Sequence, residues 1–286
     1  MGADENLLPK VGYAFWNDQN LTVTFEGKTN TGNQTITGLT YTPNDPLDAG
    51  TYINNIPHLY DGWNLVGNPY PSPIDWDLIK NDLTNLDEGI YVWNGSGYAN
   101  YVNGLSSGNM DNGGLENLIS PMQAFFVRAK ADNAGFTLNN SHRAHSVSNF
   151  LKNEPKSLKD NMLTMRIIAN SHIDIAHIYF HENATEGYDG RYDALCLYAQ
   201  LNQVPNLYTL APDSTPYSIN ALPVNIIGNY QLPVGLRLRT TGNYTIFFDN
   251  MNGFDSVRVF FEDKYTCLLY TSPSPRDRTR SRMPSS

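Results

Sequence analysis

The chain has 286 residues, 40% hydrophobic and 12% aromatic but only 16% charged, with a formal net charge of −9. That acidic balance argues against a nucleic-acid partner, which requires a basic stripe, and no run of about eighteen apolar residues is present to span a membrane. Polarity comes instead from 34 Asn and 22 Gly, and short β-branched or aromatic runs between Asn, Gly and Pro turns predict an all-β fold.

The first ten residues, MGADENLLPK, have neither the basic nor the apolar segment of a signal peptide. Residues 21–27 (LTVTFEG) alternate as a strand does, and NTGNQTITGLT adds a turn and another short strand. WNLVGN predicts a strand stopped by Pro69, which cannot donate to a ladder. GIYVWNGSGYANYV predicts a hairpin around Asn94-Gly95-Ser96-Gly97, and AFFVRA (124–129) and GFTLNN predict further strands. All four tryptophans (16, 63, 76 and 93) lie in this part of the chain.

Residues 141–161 turn polar and Lys-rich, the composition of a linker. They divide a first β-sandwich, 1–140, from a second, 162–266, which runs from LTMRIIAN through YDALCLYA to SVRVFFED. After Pro233, Val234, Leu236 and Leu238 face one way and Arg237 and Arg239 the other. Short strands at regular spacing predict two antiparallel, jelly-roll-like β-sandwiches in tandem.

GWNLVGNPYPSPIDW (62–76) is the densest stretch. Tyr70 and Ser72 each precede a proline and are held extended. Ser72-Pro73-Ile74-Asp75 reads as the start of a short helix near 73–80, with Ser72 at the N-cap and Asp75 as its capping-box acceptor. The stretch is thus expected to be a rigid strand-to-helix corner. The alternative is a sugar-stacking platform built from Trp63, Tyr70, Trp76, Trp93 or Tyr98, which requires coplanar, exposed rings.

The last twenty residues, CLLYTSPSPRDRTRSRMPSS, carry four arginines within seven positions. In one frame they resemble a translated sequencing-library adapter, so 267–286 is expected to be a disordered artefactual tail, with the natural chain continuing past Thr266. Without it 15 basic and 27 acidic residues remain, a formal charge of −12, and Cys196 is the only cysteine. In the apolar setting YDALCLYA, Cys196 reads as a small core hydrophobe rather than a nucleophile.

His177 and His181 share a strand face, but four residues apart they stand about 13 Å from each other, too far to share a zinc ion. His142 and His145 fall in the expected linker. Asp75 and Asp77 point to different sides of a short helix, unlike the facing carboxylates of a glycosidase. ENATEGYDGRYDA offers Glu186, Asp189 and Asp193 as candidate calcium ligands, without the spacing of an EF-hand; a turn between strands is the competing reading, and otherwise no cofactor is expected. No G-x-S-x-G, H-E-x-x-H, Walker or Rossmann signature is present.

In order along the chain, GWNLVGNPYPSPIDW, IYVWNGSGYANY, ISPMQAFFVRA, ENATEGYDGRYDALCL, NLYTLAPDSTPYSINALP and VRVFFEDKYT resemble a repeated region of large secreted Bacteroidetes proteins. Those proteins carry a C-terminal type IX secretion sorting domain. The resemblance covers nearly all of 11–266 and implies tandem β-sandwiches on an exported or cell-surface protein; it carries no catalytic residues. The expected function is a non-catalytic structural or adhesion-type module whose partners are neighbouring domains of the same full-length chain and an extracellular polysaccharide or surface protein. The alternatives are a carbohydrate-binding module, or an accessory domain of an exported hydrolase.

Overall fold

A computed structural model describes residues 7–14, 22, 24, 26–42, 59–111, 113–145, 161–169, 171–212, 214–226, 229–254, 258–264 and 266–271. The fold is all-β. Its strands are β1 (Gln34–Leu39), β2 (Trp63–Gly67), β3 (Ile74–Asp75), β4 (Leu86–Trp93), β5 (Tyr98–Val102) and β6 (Leu105–Asn109). Then come β7 (Leu118–Ile119), β8 (Ala124–Ala129), β9 (Ala134–Leu138), β10 (Met162–Ala169), β11 (His172–His181) and β12 (Ala194–Leu195). The last six are β13 (Asn206–Leu210), β14 (Pro216–Pro223), β15 (Val234–Arg237), β16 (Thr245–Asn252), β17 (Phe260–Asp263) and β18 (Leu268–Thr271).

Twelve strands share one sheet in the order β15-β13-β14-β11-β6-β5-β4-β8-β2, with β10 and β16 branching from β11 and β12 pairing with β14. The β11–β14 pair is parallel. Strands from both sides of residues 141–161 meet in this sheet, where Asn109 and Gly108 of β6 pair with Asp174 and Ile175 of β11.

β6 is the seam, and its sequence LSSGN does not look like a buried strand, yet every residue in it is buried. Gly108 makes the seam feasible. It has φ +80°, and a Cβ there would lie 2.3 Å from the Tyr98 carbonyl oxygen, so only glycine fits. Part of the polar content is satisfied within the fold, while Ser106 Oγ and Asn109 Nδ2 are buried with no partner among the described residues. Ser107 Oγ donates to Asn100 Oδ1 at 2.5 Å, Asn100 Nδ2 donates to Ser218 Oγ at 3.0 Å, and His177 Nε2 lies 2.8 Å from the Ser106 carbonyl. The Ser107–Asn100–Ser218 chain avoids the penalty for unpaired polar groups at those three residues.

Strand alternation sends β4, β5 and β8 into two cores. Ile90, Val92, Ala99, Phe125 and Val127 pack with Trp76, Ile79 and Phe136 on one face. Tyr91, Val102 and Leu105 pack on the other with Tyr179, Ala194, Ile219 and Ala221 from beyond residue 161. A third core, around Leu163, Ile167, Ile178 and Leu207, and a fourth, around Leu195, Tyr198 and Tyr217, lie in the C-terminal part.

Several expectations need correction. The helix near 73–80 is two single 3-10 turns, Trp76–Leu78 and Lys80–Asp82. Ile74 and Asp75 pair with Ile119 and Leu118 instead, which takes the backbone that a first helical turn would use. The N-cap is therefore Asp75 rather than Ser72; its Oδ1 accepts from Asp77 N at 3.0 Å and from Asn117 Nδ2 at 2.8 Å. Residues 141–145, assigned to the linker, are packed: Asn140–His142 is a capped 3-10 turn with His142 buried, and Ala144 N donates to the Pro73 carbonyl. Residues 146–160 lie outside the described residues. Of the expected strand at 21–27, residues 22, 24, 26 and 27 are described and none is in a strand; Trp16 lies outside. The tail assigned from Cys267 begins with structure, because Leu268–Thr271 pairs with Phe260–Asp263; its remainder, 272–286, lies outside.

Candidate functional site

The aromatic candidates fall into two groups. Tyr70 and Trp76 are 1% and 0% exposed and cannot stack on a ligand. Trp76 Nε1 donates to the Glu88 carbonyl at 2.6 Å, with the rings of Phe125 and Phe136 edge-on around it. The Tyr70 hydroxyl donates to the Gly32 carbonyl at 2.5 Å, and Arg143 lies over its ring. Trp63, Trp93 and Tyr98 are half-buried. Trp63 meets Tyr91 at 84°, Trp93 meets Tyr98 at 67°, and Tyr98 meets Phe126 at 72°. These edge-to-face pairs are the preferred packing of aromatic quadrupoles, and they present no coplanar pair.

Asn68 holds the corner together. Its Nδ2 donates to the carbonyls of Ser72, Ile119 and Ser120, and its Oδ1 accepts from Tyr70 N. The side chain thus stands in for a missing strand where Pro69 and Pro71 supply no donors.

The three candidate calcium ligands do not converge. Glu186 is exposed. Asp193 is 2% exposed, and its two oxygens accept from Ala221 N and Asp189 N, both at 2.7 Å. Asp189 Oδ1 accepts from Arg191 N at 3.0 Å. Among the described residues no three His, Cys, Asp or Glu side chains gather as a metal site. Burial raises the Asp193 carboxyl to about 7, against the pull of those two N–H donors.

The loop carrying these acids docks on β4 through a polar cluster that the sequence reading missed. Arg128 Nη1 donates to Asp87 Oδ2 at 3.0 Å, Tyr188 OH donates to the same oxygen at 2.8 Å, and Arg128 Nε donates to the Asp61 carbonyl at 3.1 Å. The guanidinium also lies 5.2 Å from the Tyr188 ring centroid. Gly190 lets the loop approach, since a Cβ there would fall 2.2 Å from Asp87 Cγ. Burial and the Asp87 charge raise the Tyr188 hydroxyl well above its usual range, so it stays a donor. The visible signal was a lone arginine in the apolar run AFFVRA.

His177, His172 and Cys196 are tied into the fold. His177 is buried, with Nδ1 3.0 Å from Thr164 Oγ1. His172 Nδ1 lies 2.5 Å from Asp111 Oδ2. Cys196 is buried with Leu59, Tyr198 and Tyr217, and burial pushes its thiol up, away from the reactive thiolate.

One open, polar cleft of about 610 Å³ lies where the two parts of the chain meet. One wall carries Lys80, Asn81, Glu88, Asn103 and Lys130; the other carries His181, Asn183, Asp189 and Arg191; Leu83, Leu86 and Tyr192 complete the lining. Arg191 Nε donates to Glu88 Oε1 at 2.8 Å, and Glu88 N donates to the Gly190 carbonyl at 3.0 Å, so the walls are tied together. Of these residues only His181 and Asp189 were singled out from sequence, because the lining converges only once the loop has docked.

A family model described as a domain of unknown function (DUF8693) matches residues 7–271. No curated protein and no solved structure matches the chain.

Proposed function

The chain belongs to the DUF8693 family, and from that premise we propose that it is a non-catalytic structural or adhesion-type module of a secreted or cell-surface protein. One observation carries the reading: the side chains with chemical potential are bonded to the fold itself. Asp193 holds two main-chain N–H groups, Asp75 caps a turn, and Asp87 Oδ2 accepts from Arg128 and Tyr188. A catalytic group must be free to meet a substrate, and these already have partners within the fold.

Export is supported by the resemblance to secreted Bacteroidetes proteins with a type IX sorting domain, in which such a region stands beside neighbouring domains of the same chain. A low-charge, Asn-rich composition suits a solvated extracellular spacer. The test is incubation of the full chain with polysaccharide, peptide and ester substrates, reading reducing ends, free amines and free acids. The expected result is no product above that of the heat-denatured chain. Turnover that disappears in Asp193→Asn or Asp75→Asn, with the fold retained by circular dichroism, would overturn the proposal.

A further inference from the structure

The cleft between the 3-10 turns and the 181–192 loop is a place where polar side chains from both parts of the chain converge on open space. We propose that it binds an acidic saccharide, a uronate-type sugar whose carboxylate is met by Lys130 and whose hydroxyls are met by the surrounding amides. This goes beyond the structural reading above, which concerns turnover and not binding.

Charge is the first argument. The chain as a whole is acidic, at −9, yet the cleft is lined by three cations, Lys80, Lys130 and Arg191, against two carboxylates, Glu88 and Asp189. Lys80 is held by Asp77 at 2.7 Å and Arg191 by Glu88. Lys130 is exposed, and its ammonium has no hydrogen bond or ion pair among the described residues. With Asp77 counted the charges balance, so on an acidic chain Lys130 is the cation of the lining left to attract an anion.

Shape and donor chemistry supply the second argument. Asn81, Asn103 and Asn183 each offer both a donor and an acceptor, as a polyhydroxylated ligand requires. Leu83 is the half-buried apolar side chain of the lining, Leu86 and Tyr192 being buried in the cores beneath it. A volume of about 610 Å³ suits a small oligosaccharide. A bare phosphate would use the cation and leave the amides idle.

The third argument is rigidity. The Arg191–Glu88 pair, the Glu88 N–H on the Gly190 carbonyl and the Asn103 Nδ2 donation to Tyr179 OH at 3.2 Å lock the walls before any ligand arrives. A preformed site loses less entropy on binding.

Titration calorimetry of the full chain tests this, with trigalacturonate as probe and maltotriose and inorganic phosphate as comparisons. Saturable binding of trigalacturonate is expected, and Lys130→Glu should weaken it about tenfold or more. Lys130 is exposed, so the variant should keep the wild-type melting temperature. Maltotriose and phosphate should each bind at least about tenfold more weakly. Absence of heat with trigalacturonate, equal affinity in Lys130→Glu, or equal affinity for either comparison probe would overturn the assignment. None of these outcomes bears on substrate turnover, so the two proposals fail separately.

Discussion

Asp87 and Arg128 face each other at 3.0 Å on neighbouring strands of the central sheet, both buried, and Tyr188 from the far side of the chain donates to the same carboxylate oxygen at 2.8 Å. An ion pair taken out of water repays its desolvation only when well bonded, and breaking one side strands the other charge. Arg128→Ala is therefore expected to lower stability by about 3–5 kcal/mol in urea unfolding. The double variant Asp87→Leu with Arg128→Met should recover most of that loss. A double variant as unstable as the single one would show that charge is not what the site depends on.

Trp76 and Trp93 should respond differently to truncation. Trp76 is fully buried and bonded to the Glu88 carbonyl, so Trp76→Ala should cost about 3–5 kcal/mol through cavity and transfer terms. Trp93 is half-buried against Tyr98, and Trp93→Ala should cost about half as much or less. Denaturant midpoints at constant slope would measure both; equal losses would contradict the packing described.

Asn68→Asp is nearly isosteric but replaces an amide that donates to three carbonyls with a carboxylate that can only accept. Stability should fall by about 3 kcal/mol or more, since a charged acceptor would face acceptors in a buried site. Asn68→Ala should be the milder change. Thermal melts of the pair would rank them, and the reverse order would remove Asn68 from its role as the corner's tie.

The burial of Asp193 makes stability pH-dependent with a definite sign. Its folded carboxyl titrates at about 7 against an ordinary 3.8, so between those values the native state holds a proton that the unfolded chain has released. The contribution is complete below about pH 4 and is lost as pH rises to about 7, amounting to about 4 kcal/mol. Burial raises Asp174 in the same direction. Wild-type stability should fall relative to Asp193→Asn as pH rises from about 4 to 7. A difference between the two that stays constant over this window would contradict the assignment.

Strands with alternating or aromatic patterns were legible from sequence, because side-chain period and β propensity act locally. AFFVRA is β8 residue for residue, and Asn94–Gly97 turns between β4 and β5 with Asn94 Oδ1 accepting from Ser96 N and Gly97 N. β6 was not legible. LSSGN has a loop's composition, and its burial is favourable only because Asn100, Ser218 and His177 arrive from distant positions. The same holds for YDALCLYA, where only Ala194 and Leu195 pair in a ladder, and for the cleft, whose lining spans residues 80 to 192. Asp75 was read correctly as a capping residue, but its position in the cap was displaced by the β3–β7 pairing, a contact spanning 45 residues at Ile74 and Ile119 and 43 at Asp75 and Leu118.

The polar side chains which look available for chemistry instead lock the two parts of the chain into one body. The most direct test follows both parts during urea unfolding. Tryptophan fluorescence reports the part before residue 141, which holds all four tryptophans. Thiol labelling of buried Cys196 reports the other, with exposed Cys267 replaced by serine. The expected result is coincident transitions that Arg128→Ala moves together to lower urea. Labelling of Cys196 well below the fluorescence transition, unaffected by Arg128→Ala, would contradict the claim.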